Sequence, residues 1–538
     1  QRINGNYDSD NILRTEITSD LIAAYNKNLT PDLEFSILSG FQYNDRQYQR
    51  QEIQGTSLLI PELFSPANAE QTVAIRDFSQ RRLMGLYGQA EFIYKGWATL
   101  SLTARNDWSS TLPLDNNSYF YPSASLAFVF TDALNISNSI LSYGKLRASY
   151  AQVGNDTDPY QLNFNFFPVT TASGQYSLNV NFPFDGRLAF AAGTQIPPSN
   201  LVPEQQTSYE FGADIQLFDG KIGLDVAYFK SRNENQILGL PIPQSTGFSR
   251  RLTNVGRVDQ EGVEVTIEAT PVQAGNFKWN TIVNFSHVES TVVELSDDVD
   301  RVVIASAFNS VQVVAVPGHE FQLSAIGFLR DSVSGRPVID PNTGRRIPGE
   351  VQNFGTVLPD FVLGWVNNFS FKGVILSTTI DWKHGGVMKS STVESLQNGG
   401  LVKETLLNRE GTFIDTEGVI LEADGTPRDN DVPVQNARDY WTALNDGSVA
   451  EPFIYDASYI KLRELGLSYA LPQKFLANSF IGGVQVGVEG RNLALLYSKV
   501  PHIDPEANLF GSGADGFGVE RASVPSTRSF GFNVRLTF

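Results

Sequence analysis

The stretch TSYEFGADIQLFDGKIGLDVAYF, residues 207–229, decides the fold class. Tyr209, Phe211, Ala213, Ile215 and Leu217 alternate with Ser208, Glu210, Gly212, Asp214 and Gln216. Beyond Asp219-Gly220 the alternation resumes, with Ile222, Leu224, Val226 and Tyr228 against Gly223, Asp225 and Ala227. A period of two sends successive side chains to opposite faces of a strand. Asp-Gly between two such runs marks a tight hairpin, because Gly accepts positive φ. The stretch therefore predicts a β-hairpin with one apolar face and one polar, acidic face.

The same unit recurs along the chain. Leu86, Gly88, Ala90, Phe92 and Tyr94 lead to Lys95-Gly96, and the return runs through Ala98, Leu100, Leu102 and Ala104. Lys372-Gly373 is followed by Val374, Leu376, Thr378 and Ile380. The pattern predicts fifteen strands, at 17–26, 32–43, 82–94, 97–108, 123–130, 142–151, 206–218, 222–232, 259–269, 277–290, 361–370, 374–386, 456–470, 483–491 and 527–538. Short turns alternate with long connections, expected at 44–80, 109–122, 152–205, 233–258, 291–360, 385–455 and 492–526. Long loops gathered at one end of successive hairpins fit an all-β, transmembrane antiparallel barrel, with short periplasmic turns and long outer loops.

Composition agrees. The 538 residues include 36 Phe, 19 Tyr and 45 Gly, while only 18% are charged. Aromatics recur near predicted strand ends, at Tyr94, Trp97, Phe218, Tyr228, Phe229, Trp365, Phe369, Phe371 and Trp382, as an interfacial belt requires. No apolar run reaches the length of a membrane-spanning helix. The last strand places Phe530, Phe532, Val534, Leu536 and Phe538 on one face. If Phe538 ends on the periplasmic side, the strand at 17–26 enters from outside, and residues 1–16 belong to an outer loop. Single-chain bacterial barrels have even strand counts and leave no open edge in lipid. An odd number of further strands is therefore expected from another polypeptide or another part of the same one.

Several stretches then resemble one family. They are ARNDWSSTLP (104–113), YFYPSAS (119–125), LRASYAQVGN (146–155), LVPEQQTSYE (201–210), NVG (254–256) with GVE (262–264), YIKLR (459–463) with Tyr469 and Pro472, and GRNL (490–493). Their order resembles the SusC/RagA class of TonB-dependent outer-membrane transporters of Bacteroidetes, from about residue 80 to the end. The resemblance implies a 22-stranded barrel around an N-terminal plug, preceded by a TonB box. Residues 1–538 then correspond to the C-terminal part of the barrel, with the plug and about seven strands absent. It further implies a bacterial outer-membrane location and import of large nutrients, oligosaccharides or peptides. Expected partners are a SusD-like surface lipoprotein as lid, the plug-bearing remainder, the TonB complex acting through that remainder, and outer-membrane lipid. The alternatives are a passive porin and a soluble β-rich adhesin or glycan-binding protein.

The net charge of -18 disfavours nucleic acid as a partner, since phosphate binding needs a basic footprint. The chain has no Cys, which excludes disulfides, thiolate metal sites and Cys nucleophiles. Four His, at 287, 319, 384 and 502, leave little room for hydrolase chemistry. His287 with Ser286 or Ser290 is the one conceivable pairing, and no enzyme activity is expected. No cofactor is expected either. Two acidic loops could take calcium, one with Asp297, Asp298 and Asp300, the other with Asp424, Asp429, Asn430 and Asp431. Neither has EF-hand spacing, and solvated loops are the favoured reading. The segment Asp340-Pro341-Asn342-Thr343-Gly344 resembles a family loop, or is a plain turn.

Two sets of residues remain as candidates for a transport surface. Glu210, Asp214, Asp225, Glu264, Glu268, Asp381 and Glu489 are expected to face the lumen, where acidic side chains tune selectivity or contact a plug. Tyr160, Phe164, Phe166, Phe167, Tyr176 and Phe182 lie in an uncharged loop and suit substrate or lid contact. Simple hydration of a polar interior and packing within the loop are the competing readings.

Overall fold

A computed structural model describes residues 5–136, 138–169, 171–173, 179–182, 184–198, 200–296, 299–307, 311–407, 409, 411–434, 436–443, 449–477, 480–508 and 518–538. Fifteen strands neighbour one another in chain order. They are β1 (Asn6–Thr30), β2 (Leu33–Leu58), β3 (Ala69–Tyr94), β4 (Ala98–Ser109), β5 (Ser118–Val129), β6 (Leu141–Asn155), β7 (Glu204–Leu217), β8 (Ile222–Glu234), β9 (Arg257–Ala274), β10 (Phe277–Glu294), β11 (Phe361–Phe371), β12 (Val374–His384), β13 (Tyr459–Ala470), β14 (Gly483–Ser498) and β15 (Ser529–Thr537). Each corresponds to one strand expected from the sequence. The pairs from β1 to β5 and from β10 to β15 are antiparallel.

The turns form where the sequence placed them. Lys95 and Gly96 both take positive φ, as do Lys372 and Gly373. At the decisive hairpin the left-handed run is Phe218, Asp219 and Gly220. Much of the apolar face is exposed: Leu86, Leu100, Leu102, Tyr209, Phe211, Tyr228, Trp365, Leu376, Trp382, Leu467, Phe530 and Phe532 all present large side chains to the surface, while Ile215, Leu217 and Leu224 are partly covered. In a water-soluble sandwich that face would be the core. At the strand ends Tyr94 packs edge-on to Trp97 at 5.0 Å, and Trp279 stacks on Phe369 at 5.7 Å.

Two expectations need correction. Residues 44–80 are not a long loop, because β2 and β3 pair from Leu33 with Tyr94 out to Leu58 with Ala69. Nor are residues 6–16 a loop, since they belong to β1 and pair with 46–56. Polar cross-strand pairs sustain these extensions where apolar alternation fades. Arg46 binds Glu16 at 2.8 Å, Arg50 binds Asp10 at 3.0 Å, and Asn44 donates to both Glu16 and Thr18. Strands of 25 and 26 residues far exceed the roughly ten needed to cross hydrocarbon.

The chain divides into two compact bodies. The first comprises residues 1–128, 147–209 and 231–257. Its buried apolar residues include Leu58, Leu112, Leu201, Leu240 and Leu252. The second comprises 129–146, 210–230 and 258–538. Here the long connections fold. Val302–Ser306, Gln312–Ala315, Gln322–Phe328 and Pro348–Thr356 form a four-stranded sheet. Val311, Val313, Leu323, Ala325, Val357, Ala450 and Val519 make its core. Beside it, Val387–Ser390 pairs antiparallel with Ile454–Asp456 and parallel with Val519–Glu520. The Ser390 hydroxyl caps the helix Ser391–Asn398 by accepting from the Val393 amide.

Candidate functional site

The polar face of the decisive hairpin opens onto a cavity of about 610 Å3. Asp214, Asp225, Glu268, Lys278, Asn280 and Asn368 are among its lining residues. Glu210 and Glu264 lie four residues from Asp214 and Glu268 on the same pleated faces. Asp381 and Glu489 are elsewhere. Asp381 accepts from Arg463 at 2.5 Å, and Glu489 pairs with Arg491 at 3.0 Å. Three of the seven acidic candidates thus share one cavity, two extend its faces, and two belong to separate ion pairs.

The pair at Asp381 leads to a charge cluster that the sequence reading missed. Between β12 and β13 the register shifts at Thr379/Ile380, and between β13 and β14 it shifts at Leu462/Glu464. Arg463 is the extra residue, and a bulge re-aims a side chain by breaking the ladder. Lys461 and Arg463 gather the carboxylates of the following loop. Lys461 reaches Asp504 and Glu506, each at 2.5 Å. Glu506 also accepts from Tyr459 at 2.7 Å and from both terminal nitrogens of Arg463. Ser526 donates to Asp504. Burial pushes the Asp504 carboxyl up, but the bonds from Lys461 and Ser526 outweigh it and hold it at about 2. For Glu506 burial is likewise outweighed, by Arg463, Lys461 and Tyr459, and the result is again about 2. The cluster is a latch that fixes the 499–507 loop to the wall.

A second cluster lies in the first body and uses the sequence motifs. Asp156, 3% exposed at its side chain, accepts from Arg81, Ser109 and Thr111. Asp107 accepts from Arg105 at 2.7 Å and from the Tyr121 hydroxyl. The ARNDWSST and YFYPS stretches are thus cross-strand anchors, completed by the residue just past LRASYAQVGN. Asn254 donates to the Val202 carbonyl at 2.7 Å and accepts from the Val202 amide at 2.8 Å, which joins the NVG and LVPE motifs.

The loop aromatics are exposed. Tyr160, Phe164, Phe166 and Phe167 all present large apolar surface, and Phe184, Leu188 and Phe190 add to it. Phe164 meets Phe166 edge-on at 5.2 Å and Phe248 at 5.9 Å. Phe166–Val169 pairs with Ala189–Ala192. Phe182 is half-buried. Tyr176 lies outside the described residues, as do Asp297 and Asp298.

The remaining candidates resolve into local contacts. His287 donates from Nδ1 to the Asp360 carbonyl at 2.5 Å, and the Ser290 hydroxyl accepts from Gln260. His384 stacks on Phe361 at 5.1 Å. Asp429 pairs with Arg336, Asp431 with Arg428, and Asp424 closes a turn by accepting from the Thr426 amide. Asp340 accepts from Asn342 and Thr343, the turn reading of that segment. Among the described residues no group of three or more His, Asp or Glu is placed to hold a metal ion.

Fifteen antiparallel strands with an exposed apolar face, a polar opposite face and folded long loops define the class of large β-barrel proteins. Residues 2–374 match the model of the family described as TonB dependent receptor-like, beta-barrel, and the chain belongs to that family. The TonB-dependent receptor P3 of Formosa agariphila is 24% identical over 97% of this chain and 52% of its own length. The TonB-dependent receptor SusC of Bacteroides thetaiotaomicron is 23% identical over 86% of this chain and 44% of its own. The structure of the RagAB peptide transporter superposes with a TM-score of 0.78 at 17% identity, covering 99% of this chain and 56% of that one. The chain spans about half the length of the relatives it matches.

Proposed function

We propose that the chain forms the wall and outer vestibule of a gated import channel in the bacterial outer membrane, taking up large nutrients such as oligosaccharides or peptides. The observation that carries this reading is the division of each strand. Large apolar side chains such as Tyr209, Phe211, Tyr228, Trp365 and Leu467 are exposed on one face, and the opposite face carries Asp214, Asp225, Glu268 and Lys278 around a cavity. Such a division suits lipid outside and water inside. Membership of the TonB-dependent family favours energised import over a passive pore. In this reading a SusD-like lipoprotein covers the vestibule. The TonB complex acts through a plug carried by further sequence. The exposed aromatics of the 160–190 loop supply contact area for lid or substrate.

The test is purification from outer membranes in detergent, with mass spectrometry of everything that accompanies the chain. Recovery of a surface lipoprotein and plug sequence supports the reading. So does loss of oligosaccharide or peptide uptake in a deletion strain. A chain that stays dispersed without detergent and brings down neither contradicts it.

A further inference from the structure

A cavity of about 840 Å3 in the second body lies where β12, β13 and the loops above them meet. Its volume is that of a small-molecule site. Lys383 lines it, directly opposite Tyr459 in the ladder. Lys383 is half-buried and makes no hydrogen bond or ion pair among the described residues, although the Glu506 carboxylate lies close enough to act on it through space. Glu506 cannot neutralise it fully, because its two oxygens already accept from Tyr459, Lys461 and Arg463. An ammonium partly withdrawn from water without a bonded counter-ion is costly, and an incoming carboxylate relieves that cost. Part of the wall is aliphatic, made by Val357, Val387, Met388, Ala457 and the exposed Val524, and part is polar, with Arg521, Asn508 and Ser523. Among the described residues Tyr459 is the one aromatic ring in the lining.

From this juxtaposition we infer that the cavity binds the C-terminal residue of a peptide, its carboxylate on Lys383 and its aliphatic side chain on the valine and methionine wall. An acidic sugar would share the carboxylate, but it would leave the aliphatic wall facing hydroxyl groups. The inference rests on the import reading above and names the cargo chemistry for this part of the vestibule.

The probes are acetyl-Ala-Ala-Leu as the free acid and the same peptide as its C-terminal amide, titrated calorimetrically against the full chain in detergent. The acid is expected to bind about tenfold tighter or better, since one charge-assisted contact is worth that factor. Lys383→Gln should erase the preference, and Lys383→Arg should keep part of it. Lys383 makes no hydrogen bond or ion pair among the described residues, so both variants should reach the membrane at normal levels. Heat-modifiable gel mobility checks this. Equal binding of acid and amide, or a preference that survives Lys383→Gln, overturns the site. Binding of oligogalacturonate that depends on Lys383, with none of the peptide, overturns the peptide assignment. The import reading is scored separately, by whether the deletion strain loses uptake whatever residue stands at 383.

Discussion

Two long connections of this chain meet water in opposite ways. The connection from Glu294 to Phe361 builds a four-stranded sheet and buries Val311, Val313, Leu323 and Ala325 to 3% exposure or less. The aromatic connection after Asn155 forms only short strand pairs and leaves Phe166 64% and Phe190 60% exposed. Both are long and rich in apolar residues. The first alternates well enough to make a core of its own, and the latch at Lys461 pins another loop in the same body. The second has rings but, among the described residues, no opposing layer. On the proposed role, the difference separates a vestibule wall that must hold its shape from a surface that has apolar area to offer.

The comparison breaks most sharply if the latch is cut. Lys461→Met leaves Asp504 and Glu506 without their shared cation, and removing one partner of a buried pair costs about 3–5 kcal/mol. Hydrogen exchange in 499–507 should accelerate accordingly, while exchange in 160–192 stays unchanged. Next comes the loop core. Leu323→Ala should destabilise the four-stranded sheet by about 2–5 kcal/mol, read as faster proteolysis within 300–356.

Acid gives a smaller, graded effect with a definite sign. The Asp504 and Glu506 carboxyls are held at about 2, below their ordinary values of 3.8 and 4.5. A depressed carboxylate stabilises the fold above its unfolded pKa and stops doing so as pH falls through the folded one. Protection of the 499–507 loop should therefore be constant from neutral pH to about 4.5 and fall away towards 2, with no matching change in the aromatic loop. The smallest expected stability effect is at the open surface. Phe166→Ser should change stability by under about 0.5 kcal/mol, as surface substitutions do. On the proposed role it should still weaken lid or cargo binding in a pull-down. A large loss of stability instead would show that the aromatics are packing after all.

The strands were legible because a period of two over eight or more residues has few rival explanations, and the Lys-Gly and Asp-Gly turns fixed the hairpins. The outer halves of β1 to β3 were not. Stretches such as Gln47–Gln54 are almost wholly polar, and only cross-strand pairs such as Arg50 with Asp10 reveal them as strand. The acidic candidates were half legible. Alternation put Asp214, Asp225 and Glu268 on one face, but could not tell a cavity wall from an ion pair, which is where Asp381 and Glu489 fall. The latch was hidden by its bulge, since an extra residue at Arg463 breaks the parity on which face assignment depends. Its two halves also lie about forty residues apart. The one available signal was the YIKLR stretch, where two cations alternate with apolar residues ahead of an acidic Asp504-Pro505-Glu506 loop.

The central claim, lipid on one face and water on the other, can be tested directly because the chain has no cysteine. Single cysteines placed in turn from Tyr209 to Gln216 would be treated in intact outer membranes with a membrane-impermeant maleimide, then with a lipid-soluble one. The account predicts that the even positions 210, 212, 214 and 216 react with the aqueous reagent and the odd positions 209, 211, 213 and 215 only with the lipid-soluble one. Equal aqueous labelling of both sets would contradict it.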